Sequence, residues 1–153
     1  QILLVRDATG NEATCTAQVT VEDNIAPEAL CAGSLEVQLD AFGNANITAN
    51  DIDAGSNDAC GIASLSIDQT SFDCSTIGDN TVTLTVTDVN GNVSDCTTVV
   101  TVLDGVAPTA VCQDITVQLD ADGEATLLPA DIDGGSADNC SVESLSILGS
   151  PAD

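Results

Sequence analysis

The stretch Thr81–Pro108, TVTLTVTDVNGNVSDCTTVVTVLDGVAP, decides how this chain is read. Val82, Leu84 and Val86 alternate with Thr81, Thr83, Thr85 and Thr87, the period of two expected of a strand with one buried face. Asp88–Asn92, DVNGN, contains Asn-Gly, the strongest short hairpin signal. Asp95–Leu103 then returns as a second strand, and LDGVAP leads away as a linker. The second half of this stretch occurs twice. Val5–Cys31 matches Val86–Cys112 at an offset of 81, with 14 of 27 positions identical. Val37–Ile67 matches Val117–Ile147 at an offset of 80, with 18 of 31 identical. The chain is therefore a tandem array with a period of about 80 residues. Residues 1–25 are expected to be the C-terminal part of one repeat, 26–106 a complete repeat, and 107–153 the N-terminal half of a third, the array being cut at both ends.

Working outward, Ile2–Asp7 and Ala13–Val21 read as two strands joined at Ala8–Asn11, followed by the linker Glu22–Pro27, EDNIAP. Proline suits a junction where no ladder donor is needed. Leu35, Val37 and Leu39 alternate with Glu36, Gln38 and Asp40 as a half-buried strand, and AFGN turns the chain into a strand lined by Ala45, Ile47 and Ala49. Asp51–Asp58, DIDAGSND, lacks periodicity and reads as a loop. Ala63, Leu65 and Ile67 form the inward face of another strand; Phe72 sits on a short one before a turn at Gly78–Asn80. No stretch shows a 3.6-residue period. Six or seven short strands with turns every 8–12 residues predict an all-β fold of tandem immunoglobulin-like sandwiches.

Twenty-five acidic residues face one base, Arg6, with no Lys and no His. Nothing can neutralise phosphates, which excludes nucleic acid as a partner, and contact of this fragment with an anionic membrane is disfavoured for the same reason. Self-repulsion keeps such an array soluble and extended. Without His or Lys there is no triad, Schiff base or imidazole zinc site, and aspartates in open polar loops lack the burial that raises a carboxyl for glycoside chemistry. The chain is expected not to be an enzyme. Asn46-Ile-Thr, Asn92-Val-Ser and Asn139-Cys-Ser match the glycosylation sequon by pattern alone.

Aromatic residues are limited to Phe42 and Phe72, so each unit must build its core from aliphatic side chains that bury less area. At about 80 residues such a unit needs further support. Seven cysteines supply it and imply an oxidising compartment. The complete repeat carries Cys31, Cys60, Cys74 and Cys96; Cys15, Cys112 and Cys140 are the equivalents of Cys96, Cys31 and Cys60. The odd total follows from where the array is cut.

The motifs Cys112–Thr126 (CQDITVQLDADGEAT), Asp131–Cys140 (DIDGGSADNC) and Thr81–Asn92 (TVTLTVTDVNGN) together resemble hyalin-type repeats. More closely they resemble the repeats of large Bacteroidetes surface proteins, including flavobacterial gliding-motility adhesins. Cys31-Ala and Cys112-Gln depart from the animal branch, which has Pro after the first Cys and core aromatics. The resemblance covers essentially the whole chain. It implies an extracellular adhesive stalk at the cell surface, its partners being the other repeats of the same chain and a surface polysaccharide or other cell-surface ligand. A spacer array within a secreted enzyme, the catalytic module lying outside this fragment, is the alternative.

In a sandwich of this kind the first strand starts at the pole where the final hairpin turns. That sets Cys31 beside Cys96 and leaves Cys60 to Cys74; the rival scheme, Cys15–Cys31 with Cys96–Cys112, asks cysteines a domain length apart to meet within about 7 Å. The same pole collects oxygen ligands: Asp51, Asp53 and Asp58 from DIDAGSND, Asp88 and Asn90 from the hairpin, and Glu22, Asp23 and Asn24 from the linker. Asp104, Asp131, Asp133 and Asp138 repeat the set. Hard cations want six to eight oxygens, and calcium tolerates irregular loops. A calcium site is expected there, the other reading being that turns simply favour Asp, Asn and Gly.

Overall fold

A computed structural model of the chain describes residues 1–149. It is an all-β protein with two single-turn helices. The strands are β1 (Ile2–Arg6), β2 (Glu12–Thr16), β3 (Ser34–Gln38), β4 (Asn44–Asn46), β5 (Ile62–Ile67), β6 (Ser71–Asp73), β7 (Gly78–Asp88) and β8 (Val93–Leu103); the helices are α1 (Ala49–Ile52) and α2 (Pro129–Ile132).

Three sheets form: β1 with β2, a four-stranded sheet in the order β3-β8-β7-β5, and β4 with β6. The alternation in Thr81–Thr87 translates directly, since Val82, Leu84 and Val86 are fully buried. Beside them in the same sheet β8 buries Val100 and Val102, and Leu39, Ile47, Ile52 and Phe72 complete the core. Nine buried hydrophobic side chains, one aromatic among them, hold the unit. β3 runs parallel to β8, pairing Leu35 with Val100 and Val37 with Val102. The first strand of the unit thus lies along its last.

Several local readings need correction. β7 starts at Gly78 and pairs with β8 from there, so Gly78–Asn80 is strand, and the turn before it is a 3-10 turn at Cys74–Thr76. Inside DIDAGSND, Asp51 and Ile52 belong to α1. Its N-cap Thr48 donates from the backbone N–H and from Oγ1 to Asp51 Oδ2, both at 2.7 Å, so the carboxylate at the third helical position reaches back to organise a turn that hydrophobic periodicity does not reveal. Ala49 accordingly starts this helix and lies outside β4. β5 carries a register shift between Ile62 and Ser64. That bulge brings Ile62, rather than Ala63, in line with Leu65 and Ile67 against the core.

Local structure follows the sequence repeat. The isolated bridges Glu28–Asn57 and Cys31–Asp53 recur as Thr109–Ala137 and Cys112–Asp133, and α2 stands 80 residues after α1. No strand is assigned among the described residues 107–149. Among the described residues no counterpart of β7 and β8 stands against them, and Leu119 is 67% exposed where its equivalent Leu39 is 4%. The third expected unit, 107–153, ends in residues that lie outside the described ones.

Candidate functional site: the junctions between repeats

Two disulfides are present, Cys31–Cys96 and Cys74–Cys140, with Cα separations of 5.8 and 5.3 Å. The first ties the start of the unit to β8. The second corrects the expected Cys60–Cys74 bond, because Cys60 is free and exposed. The reason lies in β5, which runs between the two cysteines. Six residues at about 3.3 Å each carry the chain roughly 20 Å from one pole to the other, so Cys60 and Cys74 stand at opposite ends of the unit. Cys74 instead reaches the next repeat's equivalent of Cys60, 66 residues on. The rival scheme does not form either; Cys15 and Cys112 are free and exposed.

The seam around Cys74–Cys140 is closely fitted. Asp40 Oδ1 accepts from the backbone N–H of Phe42 and Asn44, at 2.8 and 3.0 Å, and so fixes the turn after β3. Asn139 Nδ2 donates to the Asp40 carbonyl at 3.1 Å and to Asp104 Oδ1 at 3.2 Å. Asn139 is therefore engaged in the seam, whatever its sequon suggests. Gly43, at φ +75°, leaves room for both partners: a Cβ there would stand 2.6 Å from Cys74 Sγ and 2.9 Å from the Asn139 carbonyl oxygen. Two buried oxygens at this seam, Asp138 Oδ2 and Asn139 Oδ1, have no hydrogen-bond partner.

At the opposite pole the linker is clamped to the hairpin. Asn92 Nδ2 donates to the carbonyls of Asp23 and Ile25 and to Asp88 Oδ2, at 3.2, 3.1 and 2.7 Å. Ser94 Oγ donates to the Pro27 carbonyl at 2.6 Å. Asp88 is 1% exposed. Its burial works to raise the carboxyl, and hydrogen bonds from Asn92, Asn90 and Gly91 outweigh it and hold Asp88 below the usual carboxylate range. Asp7 is held well below it in the same way by Asn11 and Thr9.

The expected oxygen ligands divide into three groups. Asp23 and Asp58 meet Cys60, their ligand atoms within 4.8 Å of one another. Glu22, Asp23, Asn24 and Asn90 line one open hollow of about 390 Å³. Asp51 and Asp53 instead serve their own loop: Asp51 is lowered by hydrogen bonds from Thr48, and Asp53 by those from Ser56. Their repeats act likewise, Asp131 accepting from Leu128 N and Asp133 from Ser136 N. Asp104 and Asp138 belong to the Cys140 seam. Cys60 is the member that sequence reasoning placed elsewhere. Its thiol is raised by a hydrogen bond to Asp23 and by the charges of Asp23, Asp58 and Asp88.

No family model, curated protein or solved structure matches the chain. Two disulfides place it in an oxidising environment, and no helix among the described residues is long and apolar enough to cross a membrane.

Proposed function

We propose that this chain is a structural, adhesive repeat of a long extracellular surface filament, built from immunoglobulin-like units locked end to end by disulfides and stiffened by calcium. The observation that carries this reading is the Cys74–Cys140 bond, which joins Cys74 of one sequence repeat to the next repeat's equivalent of Cys60. A linkage of that kind resists separation of neighbours under load, a property useful to a stalk and of no use to a catalytic pocket. The parallel pairing of the first strand with the last, over a core shared by two sheets, supports the sandwich. A formal charge of −24 supports an extended, non-collapsing array.

Calcium fits the chemistry of both poles. Asp23 and Asp58 bring carboxylates together beside a hollow lined by further oxygens. At the other seam Asp138 Oδ2 and Asn139 Oδ1 are buried without a donor. These are hard oxygen groups in loops, which suit calcium better than a geometrically stricter ion.

Thermal melting and small-angle scattering of the full chain, in chelator and in millimolar calcium, test the proposal. At ten times its dissociation constant one ion stabilises by about 1.4 kcal/mol. The melting temperature and the maximum dimension should both rise with calcium, and Asp23→Asn with Asp58→Asn should blunt the response. Identical curves in both buffers would remove calcium from the account.

A further inference from the structure

We infer that Cys60 is the receiving half of a second inter-repeat disulfide, its partner being a Cys74-type cysteine on a repeat placed N-terminal to it. The inference rests on the tandem-array reading and deepens it, since every junction of the array then carries the same covalent lock.

Cys60 and Cys140 are equivalent in sequence and are held by the same local structure. The Cys60 and Gly61 N–H groups donate to Asp58 Oδ1 at 2.7 and 3.1 Å. The Cys140 and Ser141 N–H groups donate to Asp138 Oδ1 at 2.9 and 3.2 Å. One of these matched cysteines is bonded to Cys74, and the other is exposed. The linker aspartate also takes the same place: Asp104 meets the Cys140 turn through Asn139, and Asp23 meets Cys60 and Asp58. Within the turn Ala59 stands where Asn139 does and Gly61 where Ser141 does, and at Cys60 the thiol itself reaches Asp23.

The complementary half of the junction is duplicated too. Asp120 Oδ1 accepts from Asp122 N and Glu124 N, both at 2.9 Å, building the turn that Asp40 builds. Gly123, at φ +79°, repeats Gly43 at φ +75°, yet a Cβ on Gly123 meets nothing within 4 Å. The Cys60 turn and the Gly123 turn thus repeat the two surfaces that meet once, at Cys74–Cys140.

Closure is an oxidation. The two thiols lose two protons and two electrons to a small-molecule disulfide such as oxidised glutathione. One thiolate attacks that disulfide and releases a glutathione thiol; the second thiolate attacks the mixed disulfide, forming the protein S–S bond and releasing the other glutathione.

The test extends the full chain by a second copy of residues 26–81 placed before Gln1, which keeps the register because Gln1 aligns with Val82 at the offset of 81. After oxidation in a glutathione buffer, peptides are mapped without reduction. The expected result is a bond between Cys60 and the added copy of Cys74, with complete loss of the Cys60 alkylation expected of the unextended chain, where this thiol is free and exposed. A bond between Cys15 and the added copy of Cys31 reports that the added unit has folded. If that bond forms and Cys60 still alkylates, the inference is wrong and the array reading stands. If neither bond forms, both fail.

Discussion

Asn139 Nδ2 donates to the carbonyl of Asp40 across 99 residues of sequence, at 3.1 Å. It also reaches Asp104. One amide thus binds the turn after β3, the linker and the following repeat into one joint. Replacing it, Asn139→Ala, removes two hydrogen bonds, each contributing about 0.5–1.5 kcal/mol. Hydrogen exchange should speed at the Asp40–Asn44 turn and the Asp138–Cys140 turn while the β7 and β8 amides stay protected. Unchanged exchange at both turns would show that the seam does not depend on this amide.

Gly43 and Gly123 form a matched pair for a second test. Both hold positive φ, so alanine costs about 1–2 kcal/mol of backbone strain at either. At Gly43 alone the new Cβ would also meet Cys74 Sγ and the Asn139 carbonyl. Gly43→Ala should therefore lower the melting temperature more than Gly123→Ala and reduce the yield of the Cys74–Cys140 bond. Equal effects from the two would indicate that the close approach is unimportant.

The Cys31–Cys96 bond closes a loop of 65 residues. Chain entropy assigns such a crosslink roughly 4 kcal/mol, a large share of what a core with one aromatic can supply. Cys31→Ser with Cys96→Ser should lower the denaturant midpoint of the unit severely, or leave it unfolded. A midpoint within a few tenths of the parent would contradict that assignment.

Acid should loosen the hairpin clamp. Asp88 is held below its ordinary value in the folded state, so its contribution is fully present above the unfolded carboxylate value, near 3.9. That contribution is lost as pH falls through the lower folded value. Asp88→Asn should destabilise the chain at neutral pH and flatten the acid limb of its stability curve. The check is a set of denaturant melts across the acid range; parallel limbs for parent and variant would count against it.

The raised Cys60 thiol gives a kinetic prediction. A thiol held protonated beside Asp23, Asp58 and Asp88 supplies little thiolate, so Cys60 should alkylate more slowly than the exposed Cys112 at mildly alkaline pH. Asp23→Asn removes the leading cause and should accelerate Cys60 selectively. Rates that do not change would mean Asp23 does not govern the thiol.

The strands of the central sheet were legible because their alternation is strict: Val82, Leu84 and Val86 on one face and threonines on the other. Asn-Gly placed the hairpin, and the repeat offsets located the equivalent cysteines. The pole argument paired Cys31 with Cys96; what escaped was the pole that Cys60 and Cys74 each occupy. Cys60 and Cys74 are only 14 positions apart, yet β5 carries the chain between the poles in that interval. The bulge at Ile62/Ser64 and the Thr48–Asp51 cap were also hidden, since each rests on a few hydrogen bonds and no periodicity. In the same way Asp51 and Asp53 looked like free ligands, when both carboxylates accept bonds from their own loop.

The central claim is that consecutive repeats are covalently joined. Peptide mapping of the oxidised full chain without reduction tests it most directly. One linked pair should join the Cys74 peptide to the Cys140 peptide and a second should join Cys31 to Cys96, with Cys60 free. Recovery of Cys60 linked to Cys74, with Cys140 free, would contradict it.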